Sequence, residues 1–369
     1  MAQQTALKEI TSRLGAAFQD EADWLIPVHY GSPENEYQSA LSGAALFDIS
    51  HEGTIELSGP DAAAFLHNVC TNDVVHLPAG AAREAFFTTG QGKIVGYATI
   101  DHVSLAQDRD AFWLVVSPGS VDLLLAHLEH YLVTEQVEIS NQTTELVRLH
   151  VAGPQARTTV EGAFGQPLGD LGPLGHVRVV LGGTEIFVRS DQPLGLSGYD
   201  LVCQHQCAET VWTALTQAGA RPSGMQVYHT LRIETGTPWY GVDIDDSNLP
   251  QEVGRIDRAV SFTKGCYIGQ ETIARIRTYG HVNRSLVGLK ADGDSPVTSK
   301  SKVIRGGKEI GHVTSSVWSP SVNSMIALAY VRRGNQDPGT PVEIDIAGQA
   351  RNAVIAPLPF CRSEPVKTA

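Results

Sequence analysis

The sequence predicts an α+β fold that ends in a small β-barrel, and three observations carry that prediction. Strand-like and helix-like runs alternate without a regular period up to about residue 285. One strand–turn–helix pattern occurs twice, as IELSGPDAAAFL at 55–66 and LHVAGPQARTTV at 149–160, each with Gly-Pro-x-Ala between an apolar strand and a helix start. After residue 285 the helical periodicity stops and short β-patterned runs follow one another.

Taken in order, residues 7–20 read as a first helix, and strand-like runs follow at 54–57, 94–100 and 112–117. Pro60 fits a helix start that AAAFLHNV continues, and Ser120 is placed to cap VDLLLAHLEHYL, whose leucines share a face. The echo at 149–160 suggests a second, related strand–helix unit. Gly- and Pro-rich loops surround strands at 177–181 and 184–189. A helix at 208–217 ends near Gly219, and the next, 224–235, ends at Gly236 and puts Tyr228 and Arg232 on one face. The barrel strands read 286–290, 302–305, 309–317, 325–331, 341–345 and 350–356, with Gly306-Gly307 as a hairpin turn.

The chain has 369 residues, 42% of them apolar and 18% charged, which suits two or three domains with real cores. No apolar run reaches the ~18 residues of a membrane-crossing helix. The start, MAQQTALKEITSRLG, lacks the basic-then-apolar order of a signal peptide. Cys70, Cys203, Cys207, Cys266 and Cys361 are odd in number and scattered, which is no disulfide framework. Cys203 and Cys207 have no second ligand pair to complete a zinc site, so no metal is expected. These features point to a reducing cytoplasm. The net charge of −13 disfavours nucleic acid in general. Locally, Arg255, Arg258, Lys264, Arg275, Arg277 and Arg284 face only Asp257 and Glu271, which leaves either an anion site or a solvated helix face.

The most informative stretch is Lys264-Gly265-Cys266-Tyr267-Ile268-Gly269-Gln270-Glu271, followed by a helix, QETIARIRTY. A thiol near a helix N-terminus and two residues from a lysine has its thiolate favoured. The alternative is a small buried cysteine. Both readings stay open on the sequence alone.

KGCYIGQE resembles the signature of YgfZ-type folate-binding proteins, relatives of the glycine-cleavage T-protein. LFDISHEGTIELSGPDAAAFLHNVCTNDV (46–74), LRIETGTPWYGVDID (231–245) and IGHVTSSVWSPSVNSMIALAYV (310–331) resemble further blocks of that superfamily. The resemblance implies a three-domain cloverleaf: residues 1–145 as an α+β domain, 146–285 as a second one interleaved with it, and 286–369 as the barrel. It implies tetrahydrofolate or a one-carbon derivative as cofactor, with Arg232, Tyr240, Lys264, Tyr97 and Tyr228 as contacts and Cys266 as the functional thiol. Asn72 and Asp73 fall in the superfamily's Thr-Asn-Asp turn, where Asp73 can equally serve as a turn residue.

Two departures stand out. T-proteins have Gly-Gly-x-x-Asp-Asp with a catalytic first aspartate, and Gly92-Lys93-Ile94-Val95-Gly96-Tyr97 puts Gly96 there. A glycine transfers no proton, and Asp101 lies about 16 Å further along an extended strand. T-proteins also carry a pterin-binding glutamate where this chain has Leu196, in Gly195-Leu196-Ser197-Gly198. The resemblance therefore implies a tetrahydrofolate-binding accessory protein that supports iron–sulfur cluster assembly or repair in client enzymes through Cys266. The alternatives are a tetrahydrofolate-dependent aminomethyltransferase and an RNA-binding protein linked to tRNA modification.

Overall fold

The computed structural model describes residues 2–105 and 109–360; Cys361 lies outside the described residues. The chain forms two compact units. The first holds the chain to Gln192, Leu196–Tyr228 and Asp257–Gln270; the second holds Pro193–Gly195, His229–Ile256 and the chain from Glu271. The chain thus returns twice to the first unit, at Leu196–Tyr228 and Asp257–Gln270.

The first unit is built on two large sheets, with a third of three short strands at its N-terminus. Five strands make one, in the order Ala82–Thr88, Ile94–Ser104, Asp110–Val116, Gly53–Ser58 and Glu138–Asn141. Six make the other, in the order His176–Leu181, Thr184–Ser190, Gly198–Gln204, Leu146–Ala152, Ala45–Asp48 and Arg221–Pro222. The strand Ala45–Asp48 thus crosses from the N-terminal third into the second sheet.

Each sheet has one apolar face under two helices. Ala85, Phe87, Ala98 and Ile100 pack beneath Ala62–Val69 and Val121–Tyr131. Leu149, Val151, Ile186, Val188 and Leu201 pack beneath Ala156–Phe164 and Ala208–Gln217. Alternation along the strands sends the other side chains to the opposite faces, and those faces meet. Asp101 of the first sheet pairs with Arg189 of the second at 2.7 Å, and Trp113 packs edge-on to Phe187. The layer between the sheets is therefore polar and aromatic.

The repeated Gly-Pro pattern has a shared physical cause. Both Gly59 (φ +115) and Gly153 (φ +131) turn the chain from strand into helix in a region that side chains rarely adopt. An added Cβ would also lie 2.4 Å from Gln136 O at Gly59 and 2.3 Å from Gly43 O at Gly153.

Two local expectations need correction. The predicted helix over 7–20 stops at Arg13, and Ala17–Glu21 is instead a strand paired with Trp24–His29. Ser120 precedes Val121–Tyr131 in helical geometry, so its hydroxyl makes no cap bond. The second unit carries a closed barrel of six strands from Arg284–Ala291 to Gln349–Ala356. No helix among the described residues is long and apolar enough to cross a membrane.

Gly153→Ala combines a forbidden φ with a backbone clash, so it is expected to lower unfolding free energy by about 2–4 kcal/mol. Urea unfolding of the variant checks this, and an unchanged midpoint would contradict the close approach to Gly43.

Candidate functional site

The Lys264–Glu271 segment is bound into the first unit by most of its own residues. The Lys264 ammonium turns inward and donates to the carbonyls of His67, Cys70 and Asn72, the last two at 2.8 and 2.9 Å. These carbonyls end and follow the helix Ala62–Val69, where backbone acceptors lack partners. Burial pushes the Lys264 ammonium down, while Cys70 and Asp73 oppose the shift. This corrects the expectation of a free cation beside Cys266 or a ligand: the ammonium is consumed by backbone.

The Tyr267 ring is buried and lies 5.0 Å from the Lys264 ammonium, and burial raises its phenol to about 12. Gly269 has φ +83, and a Cβ there would sit 2.5 Å from Thr88 Oγ1 and 2.6 Å from Thr89 O. Thr88 in turn donates to Ile268 O at 2.6 Å. Gln270 reaches back to the Gly265 carbonyl at 3.4 Å, and Glu271 is exposed. Cys266 is exposed, and the helix Gln270–Tyr279 begins four residues beyond it. Of the alternatives open on the sequence, the accessible thiol is the one observed.

The polar face of the five-stranded sheet holds a second set. The Tyr97 hydroxyl donates to Glu84, whose other oxygen pairs with Arg258 at 2.6 Å. Phe86 stacks on Tyr97 at 4.9 Å. Asn72 donates to the carbonyls of Glu84 and Arg258 at 2.8 and 2.9 Å, which fixes the Thr-Asn-Asp turn. Asp73 binds His76 and His67, so its role is that of a turn residue. Gly96 is on the other face: a Cβ there would lie 3.1 Å from the Leu124 side chain, inside the apolar core. The side chain that this strand presents to the polar face is Tyr97, and the carboxylate beside it is Glu84.

Sequence reasoning missed Glu84. The available signal was an acid inside AREAFFT, a strand whose other residues bury almost completely.

Deeper in the same layer, Arg189 binds Asp101 through two bonds of 2.7 and 2.9 Å, Asp191 at 3.1 Å and Asp200 at 2.5 Å. His150 Nδ1 lies 2.6 Å from Asp200, and Arg148 lies 3.7 Å from it. Burial would raise the Asp200 carboxyl, but Arg189, His150 and Arg148 hold it well below the usual carboxylate range. Asp101 is thus a structural partner of Arg189. Tyr228 donates to Glu52 at 3.4 Å from the helix Met225–Thr235.

A cleft of about 330 Å³ opens beside this layer, lined by Leu171, Pro173, Leu174, Ser190, Asp191, Gln192 and Arg258. Its apolar wall, carboxylate and half-exposed guanidinium suit a flat heterocycle with an N–H edge and an anionic substituent. Asp191 precedes the loop in which Leu196 stands, and Leu196 itself is half-buried.

Arg232 and Tyr240 belong to the second unit. The Arg232 guanidinium is 3% exposed and donates to Asp243 at 2.8 Å, His229 at 3.0 Å, and Thr237 O and Ser315 at 3.2 Å. Asp243 also accepts from Thr314 and Ser315, both at 2.6 Å. The expected folate arginine is therefore a buried clasp between its helix and the barrel. Tyr240 is 5% exposed, and burial with Asp246 and Asp245 raises its phenol to about 12. Internal bonds occupy at least four of the six basic residues between Arg255 and Arg284: Arg255 to Thr237, Arg258 to Glu84, Lys264 to carbonyls and Arg284 to Glu252.

The chain matches the family model described as GCVT N-terminal domain over residues 7–264 and that described as Glycine cleavage T-protein C-terminal barrel domain over 284–361. The chain belongs to the glycine-cleavage T-protein family.

Among curated members of this family, an aminomethyltransferase of Rubrobacter xylanophilus is 33% identical, covering 97% of this chain and 94% of the relative. One of Rippkaea orientalis is 28% identical, covering 97% of each. The crystal structure of glycine cleavage system aminomethyltransferase T from Bartonella henselae superposes with a TM-score of 0.88 at 24% identity, covering 98% of each chain, and shows the same fold.

Lys264→Met keeps the volume but strands three carbonyls, so it is expected to cost about 2–4 kcal/mol of stability. Cys266→Ser, at an exposed position, is expected to leave the unfolding midpoint unchanged within about 0.5 kcal/mol. Parallel thermal melts check both, and the reverse order would overturn the division of roles within the segment.

Proposed function

We propose that this T-protein relative binds a reduced folate and acts through Cys266, in the manner of YgfZ-type proteins that support iron–sulfur cluster assembly or repair in client enzymes. The observation that carries the reading is the division of labour in KGCYIGQE. Lys264, Tyr267 and Gly269 each meet a packing or hydrogen-bond need, whereas the Cys266 thiol is exposed. Nothing in the fold requires a thiol there, which leaves reactivity as its reason.

The residues of the cleft fit a reduced folate. Leu171, Pro173 and Leu174 offer a wall for the pterin ring, Asp191 an acceptor for its N–H edge, and Arg258 a cation for the glutamate tail. Bound tetrahydrofolate would supply a one-carbon carrier. The chain's own part is to orient it, with Glu84 and Tyr97 holding Arg258 in place.

Aminomethyl transfer is the second reading. The curated relatives favour it, since they carry the name aminomethyltransferase over nearly the full length of this chain. Against it stands position 96, where the chain has no acid and where the side chain would point at Leu124.

Three measurements separate these readings. Calorimetric titration with tetrahydrofolate is expected to give micromolar binding that Asp191→Asn weakens about tenfold, the loss of one charged hydrogen-bond partner. Turnover of an aminomethyl-lipoyl carrier to methylenetetrahydrofolate is expected to be absent; its presence would establish the second reading. Cys266→Ala is expected to fold normally and to abolish rescue of iron–sulfur enzyme activity in a deficient host, and full rescue would remove Cys266 from the function.

A further inference from the structure

A second cavity opens between the two large sheets of the first unit, and the folate reading makes no use of it. Trp113 of the five-stranded sheet and Phe187 of the six-stranded sheet meet edge-on, with ring centroids 4.7 Å apart. Alternation along Thr184–Ser190 puts Glu185, Phe187 and Arg189 on one face. On the Arg189 side of the aromatic pair the layer is closed by ion pairs, with Asp101 at 2.7 Å. On the Glu185 side lies a cavity of about 480 Å³, within the usual range for small-molecule sites, about 300–1,000 Å³. It shares no lining residue with the cleft at Asp191 and Arg258.

Its walls are apolar and held in place. Trp113, Leu146, Val202 and Cys203 are buried, and Leu105 and Phe187 are half-buried against them. One Glu56 oxygen accepts from the Trp113 indole N–H at 2.9 Å, and the other accepts from Arg109 at 3.1 Å. The indole is thereby pinned, and the half-exposed guanidinium stays at the rim. The rim carries no spare ionic charge among the described residues. Glu56 is met by Arg109, and Glu185 by Arg178 at 3.2 Å. An ion entering the cavity would lose hydration without gaining an unpaired counter-charge. The other polar groups at the rim are neutral: the Thr184 hydroxyl and the amides of Gln142 and Gln204.

We propose that this cavity binds a flat, uncharged nitrogen heterocycle of one or two rings, of the nucleobase type. The ring packs on the aromatic wall of Trp113 and Phe187. Its edge, with donor and acceptor side by side, faces the amides, which carry the complementary couple. The Gln142 amide N–H₂ also donates to Ser140 at 2.9 Å, so that side chain is already oriented. The inference is independent of the folate reading, because the two cavities have separate walls.

The test titrates adenine into the full chain by calorimetry. A dissociation constant of about 0.1–1 mM is expected for a ligand of this size. Phe187→Leu keeps an apolar side chain and removes the aromatic wall, and is expected to weaken binding about fivefold. Gln204→Ala removes one amide at an exposed position and is expected to weaken it about threefold to tenfold. The exposed variant keeps the test open should Phe187→Leu fail to fold. Unchanged affinity in Gln204→Ala and in a folded Phe187→Leu would place adenine elsewhere and overturn the proposal.

A second arm tests the charge rule with three probes that share one ring: neutral benzamide, anionic benzoate and cationic benzamidine. Both ions are expected to bind at least about tenfold more weakly than benzamide. An ion that binds as well as benzamide would overturn the uncharged class, and no heat from adenine or benzamide up to about 10 mM would overturn the site. The third arm repeats the tetrahydrofolate titration with adenine at saturation. An unchanged folate affinity is expected, and competition would assign adenine to the Asp191 cleft and overturn the second site. Should tetrahydrofolate not bind at all, the folate reading falls, while the adenine variants and the charge series still decide this cavity.

Discussion

Arg189 joins the two sheets of the first unit, and much of the chemistry there depends on how it does so. Its guanidinium is 5% exposed and faces Asp101 from one sheet and Asp191 and Asp200 from the other. Removing a charge from water costs several kcal/mol, and a buried pair recovers this only when hydrogen bonds complete its geometry. Three carboxylates on one cation meet that condition for the arginine and exceed it for the acids. The inter-sheet layer is therefore rich in carboxylate and short of cation. That imbalance explains why His150 and Arg148 are drawn onto Asp200, and why Glu52 has no ionic partner among the described residues.

The same layer explains which parts of the fold were legible in the sequence. Period-two alternation at Leu146–Ala152 or Ala82–Thr88 marks one apolar face, and the Gly-Pro echo marks two strand–helix units with glycines in matching backbone strain. Barrel strands follow from hairpin signals such as Gly306-Gly307, both at positive φ. The N-terminal helix was over-read because alternation over 17–21 is too short to stand out beside a helix-favouring start. The pairing of Ala45–Asp48 with Leu146–Ala152 joins segments about 100 residues apart and has no local signal in the sequence.

The site was harder to read for a related reason. Lys264 and Arg232 stand in motif-like blocks and carry positive charge, so both suggested ligand contacts. In the fold, each meets a need that only the tertiary structure creates: three stranded carbonyls in one case, and Asp243 with two barrel hydroxyls in the other. Sequence shows which cations exist, but burial decides which are spent. Arg258, one of six in a basic stretch, is the half-exposed one that meets the cleft. Glu84 and Glu52 were passed over because an isolated acid in an apolar strand or turn has no signature until its neighbours are known.

Position 96 bears on what kind of chemistry this family member performs. A side chain there enters the apolar core under Val121–Tyr131, where Leu124 packs. Glycine at 96 lets Leu124 close over the strand, so the absence of an acid is built into the packing of that helix and is more than the loss of one functional group. The polar layer keeps carboxylates nonetheless, but their partners differ: Glu84 is tied to Arg258 and Tyr97, Asp191 to Arg189, and Glu52, among the described residues, to the Tyr228 phenol. The exposed Cys266 thiol lies apart from this layer in the chain, on the short loop that Lys264 and Gly269 fix in place.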